Sequence, residues 1–175
     1  MTPDSRPLAP GDVARLLESA ATAIRAELMA LSEDVLVWHP APGEWCVKEV
    51  LGHLIEAEQR GFAGRIRIIL DGDTPALASW EPPEVARARR DCARDADDLL
   101  RELAGIREDS AKLVSSLTAA DLGRGGAHPK VGHLRVADLL QEWVHHDRNH
   151  IKQLLANVQA YVWPHMGNAQ RFAGE

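Results

Sequence analysis

Apolar residues recur at three- and four-residue steps along most of this chain, and that periodicity restricts the folds open to it. Such steps match the turn of an α-helix and place the apolar residues on one face. They predict four long helices, over residues 12–31, 46–70, 84–117 and 135–160. Pro- and Gly-rich segments separate these helices, and no segment shows the alternation of a half-buried strand. Since four amphipathic helices must bury their apolar faces against one another, the sequence predicts an all-α, four-helix bundle.

The length of the chain fits a single domain. Its 175 residues, of which 45% are hydrophobic, are sufficient for one substantial core. We expect the bundle to span residues 11–160 and residues 161–175 to form a C-terminal tail. Gly105 is a candidate for a bend in the long third helix, because glycine weakens a helix interior.

Charge and hydropathy argue against two classes of partner. The net charge of −6 disfavours nucleic acid, which requires a basic surface to neutralise phosphates. No stretch approaches the roughly 20 apolar residues that cross a bilayer, so we expect no membrane partner. The N-terminal residues lack the apolar core of a signal peptide, which predicts a cytoplasmic location. Cys46 and Cys92 form neither a closely spaced metal motif nor a recognisable disulfide framework, so we expect two small, buried or partly buried residues.

Two histidines interrupt the apolar stripe of the fourth predicted helix. His146 and His150 are one turn apart, so their side chains stand about 6 Å from each other on one face. At that separation, two imidazoles can converge on one metal ion. Leu139, Trp143 and Gln153 share the same face of the helix. The two histidines are therefore predicted to point at the core or its edge.

A third histidine, His53, has a comparable position in the second predicted helix. Val50 and Ala57 flank it on one face, and Gly61 lies one turn further on. Ala57 and Gly61 are small, which leaves room beside His53 for a ligand. A single histidine of this kind is most often a core-edge residue that hydrogen-bonds a carboxylate or a carbonyl. The alternative is that His53 joins the other two in a metal site.

The chemistry of imidazole indicates what such a site would be. Three neutral imidazoles leave coordination positions open, as in catalytic rather than structural sites, and they suit Zn, Ni, Cu or Fe. Glu49, Glu142 and Gln153 lie within one turn of the three histidines and are candidates to orient the rings through hydrogen bonds. A solvated helix surface explains the two glutamates equally well. His128 and His133, in the connector before the fourth helix, are weaker candidates that could fold over the site.

Two segments together resemble the DinB superfamily of bacterial four-helix-bundle proteins. Residues 42–54 read Pro-Gly-Glu-Trp-Cys-Val-Lys-Glu-Val-Leu-Gly-His-Leu. They are similar to the family's Pro-Gly-x-Trp-Ser followed by a helix that carries the first metal histidine. Residues 139–153 resemble the family's closing helix, with its pattern His-Asp/Glu-x-x-His-x-x-Gln.

The resemblance implies a site, a topology and an assembly. It implies that His53, His146 and His150 bind a divalent transition metal, with Zn or Ni favoured. It also implies an up-down-down-up bundle that is often a homodimer. Two residues depart from the family pattern: Cys46 replaces the usual serine, and Asn149 stands where many relatives have a further histidine.

Two functional hypotheses follow from these observations. The first is a metal-dependent enzyme that acts on a small-molecule substrate. It would be either a thiol-transferase that uses a low-molecular-weight thiol as cofactor, as some relatives do, or a hydrolase. The second is a non-catalytic, stress-related bundle that binds or senses a ligand and uses the metal for stability or ligand capture. A helical dimerisation module without a metal is a third possibility.

Overall fold

The computed structural model of the protein describes residues 6–174, and within that part of the chain eight α-helices make up most of the fold. They are α1 (Pro10–Met29), α2 (Glu33–Leu36), α3 (Val47–Glu56), α4 (Ala63–Asp71), α5 (Pro82–Arg89), α6 (Ala96–Ser116), α7 (Ala119–Gly123) and α8 (Val136–Val162). Four long bodies form the bundle: α1, α3 with α4, α6 and α8. The predicted all-α, four-helix-bundle class is confirmed. No helix in the described range is long and apolar enough to span a membrane.

Contacts between distant residues fix the direction of α1 relative to α8. The Leu8 amide donates to the Gln141 side chain at 3.0 Å, and Arg148 donates to the Leu16 carbonyl at 3.3 Å. Residue numbers therefore increase together along the two helices. The first and last bundle helices run parallel.

The two middle helices run in the opposite direction. His53 meets His146, while Asn157 donates to the carbonyl of Trp45 at 2.8 Å, so α3 is antiparallel to α8. On the other side, Arg107 of α6 pairs with Glu58, which follows α3. Nearer the N-terminal ends of both helices, Glu56 and Glu102 both pair with Arg89. Residue numbers thus increase together, and α3 and α6 are parallel. The topology is up-down-down-up.

A π-helical segment, Ala57–Phe62, joins α3 to α4 and widens one turn of the second bundle helix. The helix predicted over residues 46–70 is thus continuous, but it is not uniformly α-helical. Gly64 has a local reason to be glycine, because a Cβ there would overlap the carbonyl oxygen of Gln59. Single π-helical turns of this kind are often found at functional sites. This one begins one turn after His53.

The prediction of one continuous helix over residues 84–117 is wrong. Arg90 adopts a left-handed conformation (φ 56°, ψ 41°) and ends α5, and a 3-10 turn (Asp91–Ala93) follows. The next helix begins at its own cap, where the Asp95 carboxylate accepts hydrogen bonds from the amides of Asp97 and Asp98. Gly105, the candidate for a bend, lies inside the unbroken α6.

Two features of the connectors also differ from the sequence-based expectation. The segment before α8 forms a short antiparallel hairpin, β1 (Gly125–His128) and β2 (Gly132–Arg135), where no strand was predicted. Four-residue strands are too short to show a clear alternation.

Cys46 and Cys92 form a disulfide, and Cys46 is fully buried. The two cysteines are 46 positions apart in the sequence, and no local pattern relates them. They meet because the 3-10 turn that carries Cys92 packs back on α3.

The core consists of two apolar clusters stacked along the bundle. One includes Phe62 and Trp143, and the other includes Leu51, Leu54 and Leu154. On α8, His146 and His150 lie between Trp143 of the first cluster and Leu154 of the second. On the second bundle helix, His53 lies among the last residues of the second cluster, one turn before Ala57 of the first. The histidine group is therefore set at the level where the two clusters meet.

Candidate metal centre

Three histidines from two antiparallel helices meet at one point in the bundle. His53 comes from the last turn of α3, and His146 and His150 come from successive turns of α8. Each offers one ring nitrogen, and the three nitrogens lie within 4.8 Å of one another. His53 Nε2 and His146 Nε2 are 3.1 Å apart. The structure thus brings together all three residues that the sequence singled out as metal ligands.

A hydrogen bond to Gln153 sets the orientation of the His150 ring, whereas His53 and His146 contact each other through Nε2. His150 Nδ1 lies 2.8 Å from Gln153 Oε1, so a proton on Nδ1 leaves Nε2 unprotonated. In contrast, the Nδ1 atoms of His53 and His146 are buried and have no hydrogen-bond partner among the described residues. Polar atoms buried in this way are rare in native structures, and they normally have a protein group, a water or an ion as partner.

Aromatic rings surround the histidines and keep the site largely out of water. The ring centroids of Trp45 and Trp80 lie 4.9 Å and 5.8 Å from that of His53. On the other side, the Phe62 ring is 5.1 Å from His146 and stacks on Trp143. Only 8% of the His53 surface is accessible to solvent. Electrostatic interactions are stronger in such surroundings than in bulk water.

Burial keeps the imidazoles neutral. Desolvation, together with the neighbouring His150, lowers the pKa of His53 to about 3. The same two causes, and the nearby His53 ring, lower the pKa of His146 to about 3. Burial also lowers the pKa of His150. At neutral pH, all three rings are therefore in the neutral form that binds metal ions.

Of the three residues expected to orient the histidines, one contacts them. Gln153 bonds His150, as described above. Glu49 instead accepts from the Cys46 amide at 2.9 Å and lies 3.0 Å from His39 Nε2, because it belongs to the cap of α3. Glu142 is exposed and has no hydrogen bond to His146 in the described range. Neither glutamate therefore orients a histidine ring of the trio through a hydrogen bond within the described residues.

A buried ionic cluster behind the histidines was not anticipated from the sequence. Arg107 Nη1 lies 2.6 Å from Asp147 Oδ2, and Arg107 Nη2 lies 3.0 Å from Glu58 Oε2. All three side chains are buried, and the guanidinium also lies 5.9 Å from the Trp143 ring centroid. Because Asp147 directly follows His146, this cluster holds α8 in place at the site. The signal was present in the sequence: Asp147 is a charge on an otherwise apolar stripe.

A second arginine supports the segment that covers the site. Arg65 donates to the Ala78 carbonyl at 3.1 Å, and the same nitrogen lies 3.0 Å from His128 Nε2. Ala78 is two residues before Trp80, which stacks on His53. Of the two connector histidines considered as possible covers, His128 is thus tied to Arg65, and His133 is exposed on the hairpin.

Comparison with known proteins agrees with this architecture. The model of the DinB superfamily matches residues 16–154. A Bacillus licheniformis protein named "Putative metal-dependent hydrolase" is 26% identical over 148 residues, which cover 84% of each chain. A Geobacillus thermodenitrificans protein of the same name is 29% identical over 145 residues, covering 81% of this chain and 79% of the other. YfiT from Bacillus subtilis, described as a probable metal-dependent hydrolase with an unusual four-helix bundle topology, superposes with a TM-score of 0.80 at 19% identity, over 88% of both chains.

Proposed function

This chain belongs to the DinB superfamily, and we propose that it is a metal-dependent hydrolase of a small molecule in which His53, His146 and His150 hold a divalent transition metal. One observation carries the proposal: three neutral ring nitrogens converge within 4.8 Å, and the buried Nδ1 atoms of two rings find no partner in the part of the chain that the structure describes. Two relatives whose names describe metal-dependent hydrolases support the class of reaction.

The donor set fits a metal such as Zn or Ni. Imidazole nitrogen is a preferred ligand of both ions, and the neutral rings need lose no proton to bind. An ion held by three imidazoles keeps at least one position open, where it can polarise a carbonyl or activate water.

The protein's own groups would prepare the site for that chemistry. Gln153 fixes the His150 ring, and the Arg107–Asp147 pair fixes the backbone of α8 beside His146. The rings of Trp45 and Trp80 restrict water at His53. Such preorganised, water-poor surroundings favour attack on a bound substrate. Thiol transfer has no comparable support, since no observation points to a thiol at this site.

Activity against a panel of small ester, amide and lactone substrates tests the proposal. The protein is stripped with a chelator, reloaded separately with Zn and Ni, and compared with His146→Ala and His145→Ala variants. His145 is a matched control, because it is exposed on the same helix and, among residues 6–174, hydrogen-bonds Asn149 alone.

We expect hydrolysis that disappears with the chelator and returns with the metal. His146→Ala should lose at least about 100-fold, since removing even an outer partner of a metal ligand costs 10–100-fold. His145→Ala should retain full activity. A metal-loaded protein that hydrolyses none of the panel would favour the non-catalytic bundle, and equal activity with and without the metal would refute metal dependence.

A further inference from the structure

A second group of metal-ligating side chains lies outside the histidine trio. His39, Cys46, Glu49 and Cys92 each place one donor atom within 4.8 Å of the other three. His39 Nε2 is 3.0 Å from Glu49 Oε2 and 3.8 Å from Cys92 Sγ. The two sulfurs are joined in the disulfide. We propose that reduction of this disulfide creates a second metal site, in which the two thiolates, His39 and Glu49 bind a zinc-type ion.

The donor set is suited to such an ion. Two thiolate sulfurs, one imidazole nitrogen and one carboxylate oxygen supply four ligands, the number that zinc adopts in tetrahedral sites. Thiolates also select against the hard cations magnesium and calcium. The disulfide form offers no thiolate, so disulfide and metal exclude each other.

The ligands are held by contacts that do not depend on the disulfide. Cys46 is the N-cap of α3, and Glu49 lies in the first turn of the same helix. Cys92 follows Asp91, whose fully buried carboxylate is held by Arg89 at 2.8 Å and by Arg94 at 3.1 Å. Reduction therefore leaves the two sulfurs near each other.

The position of Cys46 also favours the thiolate that a metal requires. A helix N-terminus carries a partial positive charge, which stabilises an anion placed there. The thiolate would take over the place of the serine oxygen that is usual in the family. A cysteine at this position would thus supply a metal ligand, which a serine that only caps the helix would not.

Solvent and metal ions can reach the cluster from the side of His39 and Glu49, and a reductant can attack the half-buried Cys92, whereas Cys46 is fully buried. A surface cavity of about 280 Å³ is lined by His39, Glu49 and Trp45, among others. The His39 side chain is 45% exposed. Trp45 also packs on His53, so the proposed site is a neighbour of the histidine trio but shares no ligand with it.

The redox step balances with a dithiol as the reductant. The dithiol gives up two electrons and two protons and becomes a cyclic disulfide. The Cys46–Cys92 bond breaks and yields two thiols. Metal binding then releases the two thiol protons to solvent. In the reverse direction, a small-molecule disulfide accepts two electrons from the two thiolates and takes up two protons from solvent. Its own S–S bond breaks to give two thiols, the Cys46–Cys92 bond reforms and the ion is released.

Cobalt(II) titration tests the proposal, because thiolate ligands give cobalt a charge-transfer band in the near ultraviolet that histidine ligands do not. The oxidised and the dithiol-reduced protein are titrated side by side, with His39→Ala, Cys92→Ser and the control His145→Ala. Circular dichroism establishes that each variant is folded. The band reports on this cluster alone, so the result is independent of what the histidine trio binds.

We expect the reduced protein to bind one more cobalt ion than the oxidised protein, with the charge-transfer band. Cys92→Ser keeps only the Cys46 thiolate and should lose much of the band's intensity, and His39→Ala should bind at least about tenfold more weakly. His145→Ala should match the wild type. Addition of an oxidising disulfide should release the ion. Equal cobalt uptake by the two redox forms, or an additional ion without the thiolate band, would overturn the proposal.

Discussion

Gly52 lies on the face of α3 that packs against the 3-10 turn carrying Asp91. A Cβ at Gly52 would lie 2.5 Å from Asp91 Cγ and 3.1 Å from Arg89 Nε. The Asp91 side chain is short, fully buried and paired with both Arg89 and Arg94, so any shift of its carboxylate disturbs these ion pairs. We therefore predict that Gly52→Ala displaces the carboxylate and breaks its ion pairs.

The magnitude follows from the burial of that charge. Breaking a buried ion pair costs about 3–5 kcal/mol of unfolding free energy, whereas replacing a helical glycine by alanine returns about 1 kcal/mol. The net loss should be about 2–4 kcal/mol. For a protein of this size, that corresponds to a decrease in Tm of roughly 5–15 °C. Thermal and urea denaturation, followed by circular dichroism with the disulfide intact, measure it.

Gly105→Ala is the matched control. Gly105 is an exposed interior residue of α6, and a Cβ there would meet no atom within 4 Å. This variant should be more stable than the wild type by up to about 1 kcal/mol. A double-mutant cycle completes the test: in an Asp91→Ala background, Gly52→Ala should cost much less than in the wild type. A Gly52→Ala protein as stable as the wild type, or an unchanged cost in that background, would refute the reasoning.

Two further predictions concern charge buried around the site. In the metal-free protein, His53 takes up a proton below pH 6.5 in the unfolded chain but only near pH 3 in the folded chain. The free energy of unfolding should therefore decrease as the pH is lowered from 6.5 to about 3. Urea denaturation between pH 6 and pH 4 measures this effect: per pH unit, the free energy of unfolding of the wild type should decrease by about 1 kcal/mol more than that of His53→Ala. Equal pH dependence of the two proteins would contradict a neutral, buried His53. Arg107→Leu leaves Glu58 and Asp147 unpaired in the core and should cost about 3–5 kcal/mol, measured by the same method. The control Arg101→Leu breaks only an exposed pair and should change stability by less than about 1 kcal/mol; comparable losses in both would show that the buried pairs contribute little.

The sequence predicted the bundle and the histidine group because both depend on periodicity within single helices. Spacing alone places His146 and His150 on one face, and the apolar residues around His53 place it toward the core. The break at Arg90 was missed because no glycine or proline marks it. Its cause is tertiary: the left-handed turn lets Asp91 be buried against α3.

The remaining misses also depend on contacts between elements. Glu49 was assigned to His53 by helical spacing, but its position in the first turn of α3 gives it the Cys46 amide and His39 as partners. The Cys46–Cys92 bond joins residues that no local pattern relates. Charges on an apolar stripe, such as Asp147, are the one sequence signal that could have indicated the buried ionic cluster.

Metal binding by the oxidised protein isolates the histidine trio, because the disulfide keeps the second cluster from contributing thiolates. Calorimetric titration of chelator-stripped protein with zinc, supported by elemental analysis, should show one ion per chain at neutral pH. His150→Ala should lose most of that affinity, while His145→Ala should keep it. A folded wild-type protein that takes up no divalent transition metal, or a His150→Ala variant that binds it as tightly as the wild type, would contradict the account.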